Sequence, residues 1–467
     1  LDIVGGAYQD STRSFDSQDC VNYLPESAQS PGARARGILR GLPGLTLFAT
    51  APDPEDNTVP SMRGVRNVEG RLFVVMGQYL YEVSTAGAFT SRGTIPGTGR
   101  VSMSHQQITN GYEVIIVNGS QGYVYNTVTT TLVTITDSSF PGSFVVDFID
   151  QYFAQVEPNR GYWFHSDLAS ATSYLSTDRY EAEASPDKIV TLIVDHREVW
   201  VLGERTIEIY SNTGGTQPFA RQDGTVIEQG CGGRYTVVQL DNSIFWLGND
   251  GIFYRANGYT PVRISTHAVE QEISDKVWSS CYAFTWSDRG HKVIYWTFPD
   301  GLTWGYDAAT GLWHRRESYQ RSNWRVADMV YWNNQWIAGD SYNGKLYIVD
   351  WDNYTEDDDP LVASRTIQFL HANQNEVFQN YLELVMAVGL GNTDSVDRQV
   401  SLRFSDDGGF NWSAWNSISI GQVGGYTERV RFWRLGRFTC RTFQIQVSSP
   451  VKRDLITAAI EMREGMS

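Results

Sequence analysis

Residues 71–83 read RLFVVMGQYLYEV. A run of apolar residues is cut by a Gly-Gln turn and followed by a second run that carries aromatics. Short β-branched and aromatic runs around a tight turn are the signature of two antiparallel strands. The same theme returns along the chain as YEVIIVNGSQGYVYN (112–126), YFAQVEPNRGYWFHS (152–166), REVWVLGERTIEIYS (197–211), NSIFWLGNDGIFYRA (242–256), KVIYWTFPDGLTWGYD (292–307) and NQWIAGDSYNGKLYIVD (334–350).

Each copy has a late aromatic: Tyr81, Tyr125, Phe164, Tyr210, Tyr254, Tyr306 and Tyr347. The gaps between them are 44, 39, 46, 44, 52 and 41 residues. A period of roughly 40–50 residues with several strands per unit marks a β-propeller, in which each blade buries its faces against two neighbours. Seven copies predict seven blades, or six if one copy belongs to an inserted hairpin. The copy at 152–166 is the weakest, because a polar, Ser/Ala-rich tail (167–187) follows it. An array of β-sandwiches is the competing all-β reading.

Working outward, residues 61–352 form the expected propeller. NYTEDDDP (353–360) breaks the pattern: Glu356, Asp357, Asp358 and Asp359 before Pro360 read as a solvated acidic linker or loop. It lacks the Gly and distal Glu of a calcium loop. Beyond it, strict alternation such as Val400-Ser401-Leu402-Arg403-Phe404 predicts half-buried antiparallel strands, and 361–467 has the size of a β-sandwich. Residues 1–60 hold Pro25, Pro31, Pro43, Pro52, Pro54 and Pro60, which disfavour helices and central strands. They read as an extended strap laid over the outside of another domain or subunit.

The chain's 467 residues are 41% hydrophobic and 13% aromatic, which excludes a disordered chain. No stretch is apolar enough for a membrane span, and the first ten residues lack the basic and apolar regions of a secretory leader. The net charge of −16 argues against a protein that grips duplex DNA through Lys and Arg. It is compatible with a wall past which DNA slides, and equally with simple solubility.

No catalytic, cofactor-binding or metal-binding residues are assigned. Cys20, Cys231, Cys281 and Cys440 are far apart and form no CxxC pair. His105, His165, His196, His267, His291, His314 and His371 show no metal-ligand spacing. Gly119–Gly122 and Gly230–Gly233 sit beside expected strands, so turns and bulges explain them better than phosphate cradles. The 15 Trp and 25 Tyr are expected in core and interfaces more than on sugar-binding surfaces.

Ser405-Asp406-Asp407-Gly408-Gly409-Phe410-Asn411-Trp412 fits SxDxGxxW and resembles the Asp-box of sialidase-type propellers. The Asp side chain accepts backbone N–H groups across a turn, Gly takes positive φ and Trp packs beneath. Such boxes are turn staples. A sialidase-like glycan-active or glycan-binding propeller is therefore the alternative reading, without a placeable catalytic set.

Two further stretches carry a wider resemblance. One is Cys20-Val21-Asn22-Tyr23-Leu24-Pro25-Glu26 with Leu42-Pro43-Gly44-Leu45. The other runs through Trp200–Gly203, Thr206–Tyr210, Pro218–Arg221, Gly230–Gly232 and Trp246–Gly251 to Arg263–Ala268. Together they resemble the packaged-DNA stabilisation, or tail hub (nozzle), family of short-tailed bacteriophages, the P22-like tail accessory factors, over most of residues 20–350. The resemblance implies a non-enzymatic virion protein containing a β-propeller, made in the host bacterial cytoplasm. It further implies a homo-hexamer beneath the portal–adaptor complex that closes the DNA channel and anchors tailspikes or tail fibres and a needle or plug. Double-stranded DNA would pass without sequence-specific binding, and no cofactor or membrane insertion is implied.

Overall fold

A computed structural model describes residues 1–52, 61–182, 184–373, 375–390 and 398–464. Seven successive antiparallel meanders form blades 1–7. They span 62–94, 102–134, 146–181, 189–221, 238–263, 282–315 and 326–350, and the last is completed from the N-terminus. All seven late aromatics fall on the third strand of their blade and are buried. The copy at 152–166 makes a full blade, so seven is the blade number and no copy is an insertion.

A second turn, inside each blade, reinforces the repeat. First and second strands meet through two-residue hairpins at Glu69-Gly70, Asp150-Gln151, His196-Arg197, Asp241-Asn242, Arg289-Gly290 and Asn333-Asn334, with both residues at positive φ. That is the type I′ turn, whose twist matches that of the flanking strands. Each junction between blades then has its own buried apolar cluster. Phe73, Ile116 and Tyr125 lie between blades 1 and 2. Leu72, Ile337 and Leu346 lie between blades 7 and 1, where the ring closes.

The ring closes through the N-terminal segment. Strand Gly44–Thr50 pairs antiparallel with Lys345–Asp350 as the outer strand of blade 7. The sandwich is joined to the propeller by hydrogen bonds. Strand Ser17–Val21 lies between Leu312–Arg315 of blade 6, which it meets in parallel, and Ala363–Thr366 of the sandwich. One sheet therefore runs from blade 6 through Cys440–Val447 and Gln399–Ser405 to Asn416–Ser419. The facing sheet orders Tyr23–Ser27, Gly37–Gly41, Leu455–Glu464, Val377–Met386 and Val430–Phe438. Their shared core, with Leu382, Phe432, Phe443 and Ile445, is continuous with Phe253, Trp296 and Trp313 of blades 5 and 6.

The N-terminal strap takes one of the placements expected for it, and one expectation, that of the acidic run, changes. The N-terminal segment, where described, is woven into its own chain. An outer blade strand covers an edge that would otherwise invite pairing with another chain. Pro25 fits because Tyr23–Ser27 is an edge strand, where its missing N–H costs no ladder bond. Pro54 and Pro60 lie outside the described residues. The acidic run is not a wholly solvated linker or loop. Thr355–Glu356 and Asp359–Pro360 form a small hairpin, and Glu356 is 1% exposed. Its carboxylate is drawn inside because Arg316, itself buried, needs a counter-charge there.

Candidate functional site

The first strands of six blades, with the residues just ahead of blade 5, converge on the propeller axis and line a cavity of about 290 Å³. Its charged lining comes from Arg66 on blade 1, Arg100 before blade 2, Asp147 on blade 3, Arg234 before blade 5 and Asp328 on blade 7. On the side of the type I′ turns a second, larger hollow lies over blades 1–3. That hollow, about 1110 Å³, is bordered by Glu69, His105, Tyr112, Phe148 and Gln151 and shares Arg66 and Asp147 with the axial cavity.

The charges are held differently. Arg100 pairs with Asp328 at 3.3 Å, donates to the Ala327 carbonyl at 2.8 Å and lies over the Tyr282 ring at 4.3 Å. Asp147 accepts the backbone N–H groups of Phe148 and Val194, each at 2.9 Å. Burial nevertheless pushes the carboxyls of Asp147 and Asp328 above the usual range. Arg66 donates through Nε to Nδ1 of His105 at 3.3 Å, and burial, with the Arg66 charge, lowers the His105 pKa. The guanidinium of Arg234 lies 3.8 Å from the Phe144 ring centroid, and burial lowers its pKa.

The residues singled out by sequence are scattered. His165, His291 and His314 are buried on blades 3 and 6, His196 tips a hairpin of blade 4, and His267 begins the helix His267–Glu272. Among the described residues no group of three His, Cys, Asp or Glu side chains could hold a metal ion. Burial pushes the thiols of Cys20 and Cys231 up to about 12 and about 11, so neither is a thiolate at neutral pH. The Gly230–Gly233 segment is a close backbone crossing: a Cβ at Gly230 would lie 2.1 Å from the Glu204 carbonyl oxygen.

The Asp-box lies on the sandwich, between strands Gln399–Ser405 and Asn416–Ser419, away from the propeller axis. Asp407 accepts the Asn411 backbone N–H at 2.9 Å and its side-chain amide at 2.6 Å. Ser405 donates to Asp407 at 2.8 Å and accepts the Gly409 N–H at 2.8 Å. These bonds, led by the Asn411 N–H, lower the Asp407 pKa to about 2. Trp412 is half-buried under the Arg403 guanidinium at 4.7 Å. The arrangement is a stapled turn.

The long stretch 200–268 builds blades 4 and 5 and their junction. Trp200–Gly203 lies in one second strand, and Thr206–Tyr210 enters the third strand beside it. Thr266 caps the helix that follows blade 5. Sequence reading missed the axial charges, because the repeated theme marks second and third strands and the axis is lined by first strands. The two-residue turns (Asp-Gln, His-Arg, Asp-Asn, Asn-Asn) were the available signal, since each closes a first strand.

Comparison with known proteins agrees with this architecture. The family model described as "Bacteriophage P22 Gp10, beta-propeller" matches residues 1–354. The model described as "Bacteriophage P22 Gp10, beta-sandwich" matches residues 364–463. The tail hub protein gp10 of Salmonella phage P22 is 26% identical over 260 residues, 51% of this chain and 51% of its own length. The chain thus spans about half the length of that curated relative. Among solved structures, the computationally designed protein Ika8 is similar over 72% of this chain and 100% of its own, with TM-score 0.41 and 12% identity. A virginiamycin B lyase from Staphylococcus aureus is similar over 63% and 95%, with TM-score 0.43 and 8% identity. The two family matches between them take in most of the sequence, propeller and sandwich alike, and the chain belongs to the bacteriophage P22 Gp10 family.

Proposed function

We propose that this chain is a structural tail-hub, or nozzle, protein of a short-tailed bacteriophage. It assembles as a homo-hexameric ring beneath the portal–adaptor complex, closes the DNA channel after packaging, and anchors tailspikes or fibres and a needle or plug. It is made in the host cytoplasm and resides in the virion tail; no enzymatic step is part of this role. The observation that carries the reading is the family match over both domains, with a relative named as a tail hub protein.

The geometry is consistent with this role. A cavity of about 290 Å³ at the propeller axis is no conduit for a duplex whose major groove alone is roughly 12 Å wide. DNA therefore runs along the ring axis, between subunits, past a chain whose acidic excess does not hold phosphates. The sheet shared by blade 6 and the sandwich gives each subunit a stiff body, as repeated ring interfaces require. No helix of the described residues is long and apolar enough to cross a membrane.

DNA retention tests the role. Filled heads carrying portal and adaptor are incubated with the protein and then challenged with nuclease. Protection of the genome at a saturating six copies per head is expected. Genomes digested equally with and without the protein would refute it.

A further inference from the structure

We propose that the axial cavity of the propeller is a binding site for a small oxyanion of the phosphate type, held by the guanidinium groups of Arg66 and Arg234. The cavity has the size and the polarity for it. About 290 Å³ is room for roughly ten waters, enough for one oxyanion that keeps part of its hydration. Ser102, Thr191 and Tyr235 also border it, the Ser102 hydroxyl donating to the Val146 carbonyl and the Tyr235 hydroxyl to the Arg100 carbonyl.

The charge pattern favours an anion. Of the three arginines on the axis, Arg100 has its carboxylate, Asp328. Arg66 and Arg234 form no ion pair within 4 Å among the described residues. Arg66 spends Nε on His105, and no hydrogen bond from its two terminal nitrogens is seen among the described residues. Arg234 is stacked on Phe144, with the Tyr235 phenol as its polar neighbour. Burial opposes its charge, and a bound anion would relieve that cost. A guanidinium that keeps its fork of donors free is the group best matched to phosphate oxygens.

Asp147 is the adverse charge in the cavity. Two backbone N–H groups occupy its oxygens, and its burial disfavours the ionised form. Arg66 and Asp147 also border the larger hollow on the turn side, so Arg66 faces both. Because Arg66 belongs to blade 1 and Arg234 precedes blade 5, an anion between them would tie opposite parts of the ring together.

The test is calorimetric titration of the full chain with inorganic phosphate at constant ionic strength, beside thermal unfolding in phosphate and in sodium chloride. A saturable heat is expected, together with a melting temperature raised by phosphate beyond chloride, as binding to the native state requires. R66Q and R234Q should each weaken binding on the order of tenfold or more, the worth of a charge-assisted hydrogen bond. R160Q, on a side chain 67% exposed, should leave it unchanged. If either axial variant fails to fold, selenate diffused into crystals of the unaltered chain gives a second readout, an anomalous peak in the axial cavity. Methyl phosphate and glucose 6-phosphate separate the sources. Binding of inorganic phosphate alone assigns a free anion, and binding of the esters as well assigns a phosphate group on a larger ligand. No saturable heat, an equal shift in chloride, unchanged affinity in R66Q and R234Q, or selenate found only elsewhere would overturn the proposal.

Discussion

The Glu356 carboxylate lies 3.0 Å from Nη2 of Arg316, with both side chains 1% exposed. The same carboxylate accepts from Ser318 Oγ at 2.6 Å and from the Trp324 indole N–H at 2.9 Å. Arg316 also donates to the Pro43 carbonyl at 2.7 Å and lies over the Trp324 ring at 4.5 Å. The link from blade 6 to blade 7, the N-terminal segment and the chain's exit toward the sandwich therefore meet at one ion pair.

Removing one partner of that pair should be costly. Glu356→Ala leaves a buried guanidinium whose Nε and Nη1 have no hydrogen-bond partner among the described residues, and strips Ser318 and Trp324 of their acceptor. A loss of about 3–5 kcal/mol is expected from the midpoint of urea unfolding. A change below about 1 kcal/mol, as for an exposed pair, would show that the clasp is solvated.

Ring closure is tested at Leu45, which is fully buried in the strand paired with Lys345–Asp350. Leu45→Ala should cost about 2–5 kcal/mol, the range for emptying a packed leucine site. Hydrogen exchange should show the amides of Lys345–Asp350 losing protection while those of blades 2 and 3 keep theirs. Uniform loss over all blades would mean that the ring opens only by global unfolding.

Acid should destabilise the chain well above the carboxylate range. Burial lowers the His314 pKa to about 3, against about 6.5 for a free imidazole. Between these values the unfolded chain binds a proton that the folded chain refuses. Stability therefore falls as pH drops from about 6.5 towards 3, by at most about 1.4 kcal/mol per pH unit for this group. His165, also lowered by burial, acts in the same direction. Urea titrations from pH 7 to pH 4 should show the slope, and His314→Phe should reduce it by one proton. An unchanged slope in that variant would place the proton uptake elsewhere.

The Asp-box should behave as a staple. Asp407→Ala should speed exchange of the Asn411 and Gly409 amides and ease proteolysis between Ser405 and Trp412, with the propeller unaffected. The staple is fully present above pH 3.8 and weakens as pH falls through about 2, where Asp407 protonates. Glycan hydrolysis that vanished in this variant would instead revive the sialidase-like reading.

The parts legible in sequence were those that repeat locally. Tyr81 to Tyr347 mark seven third strands because each blade buries an aromatic at the same place in its meander. The sandwich showed itself through alternation, as in Val400–Phe404, where Val400 and Leu402 are buried. Pairings across the whole chain left no local trace. Nothing near Cys20 indicates that it pairs with Arg365, or near Leu45 that it faces Val349. The acidic run misled because four consecutive carboxylates look solvated, whereas the turn at Asp357 and Asp358 directs Glu356 inward. Axial charges were invisible for a similar reason: Arg66, Asp147, Arg234 and Asp328 become neighbours only when the ring closes.

Native mass spectrometry of the full chain mixed with the portal–adaptor complex of its own phage tests the hub role most directly. Uptake of six copies per complex, with none bound by portal alone, is the result expected of a tail hub. A chain that stays monomeric beside an intact portal–adaptor complex would contradict it.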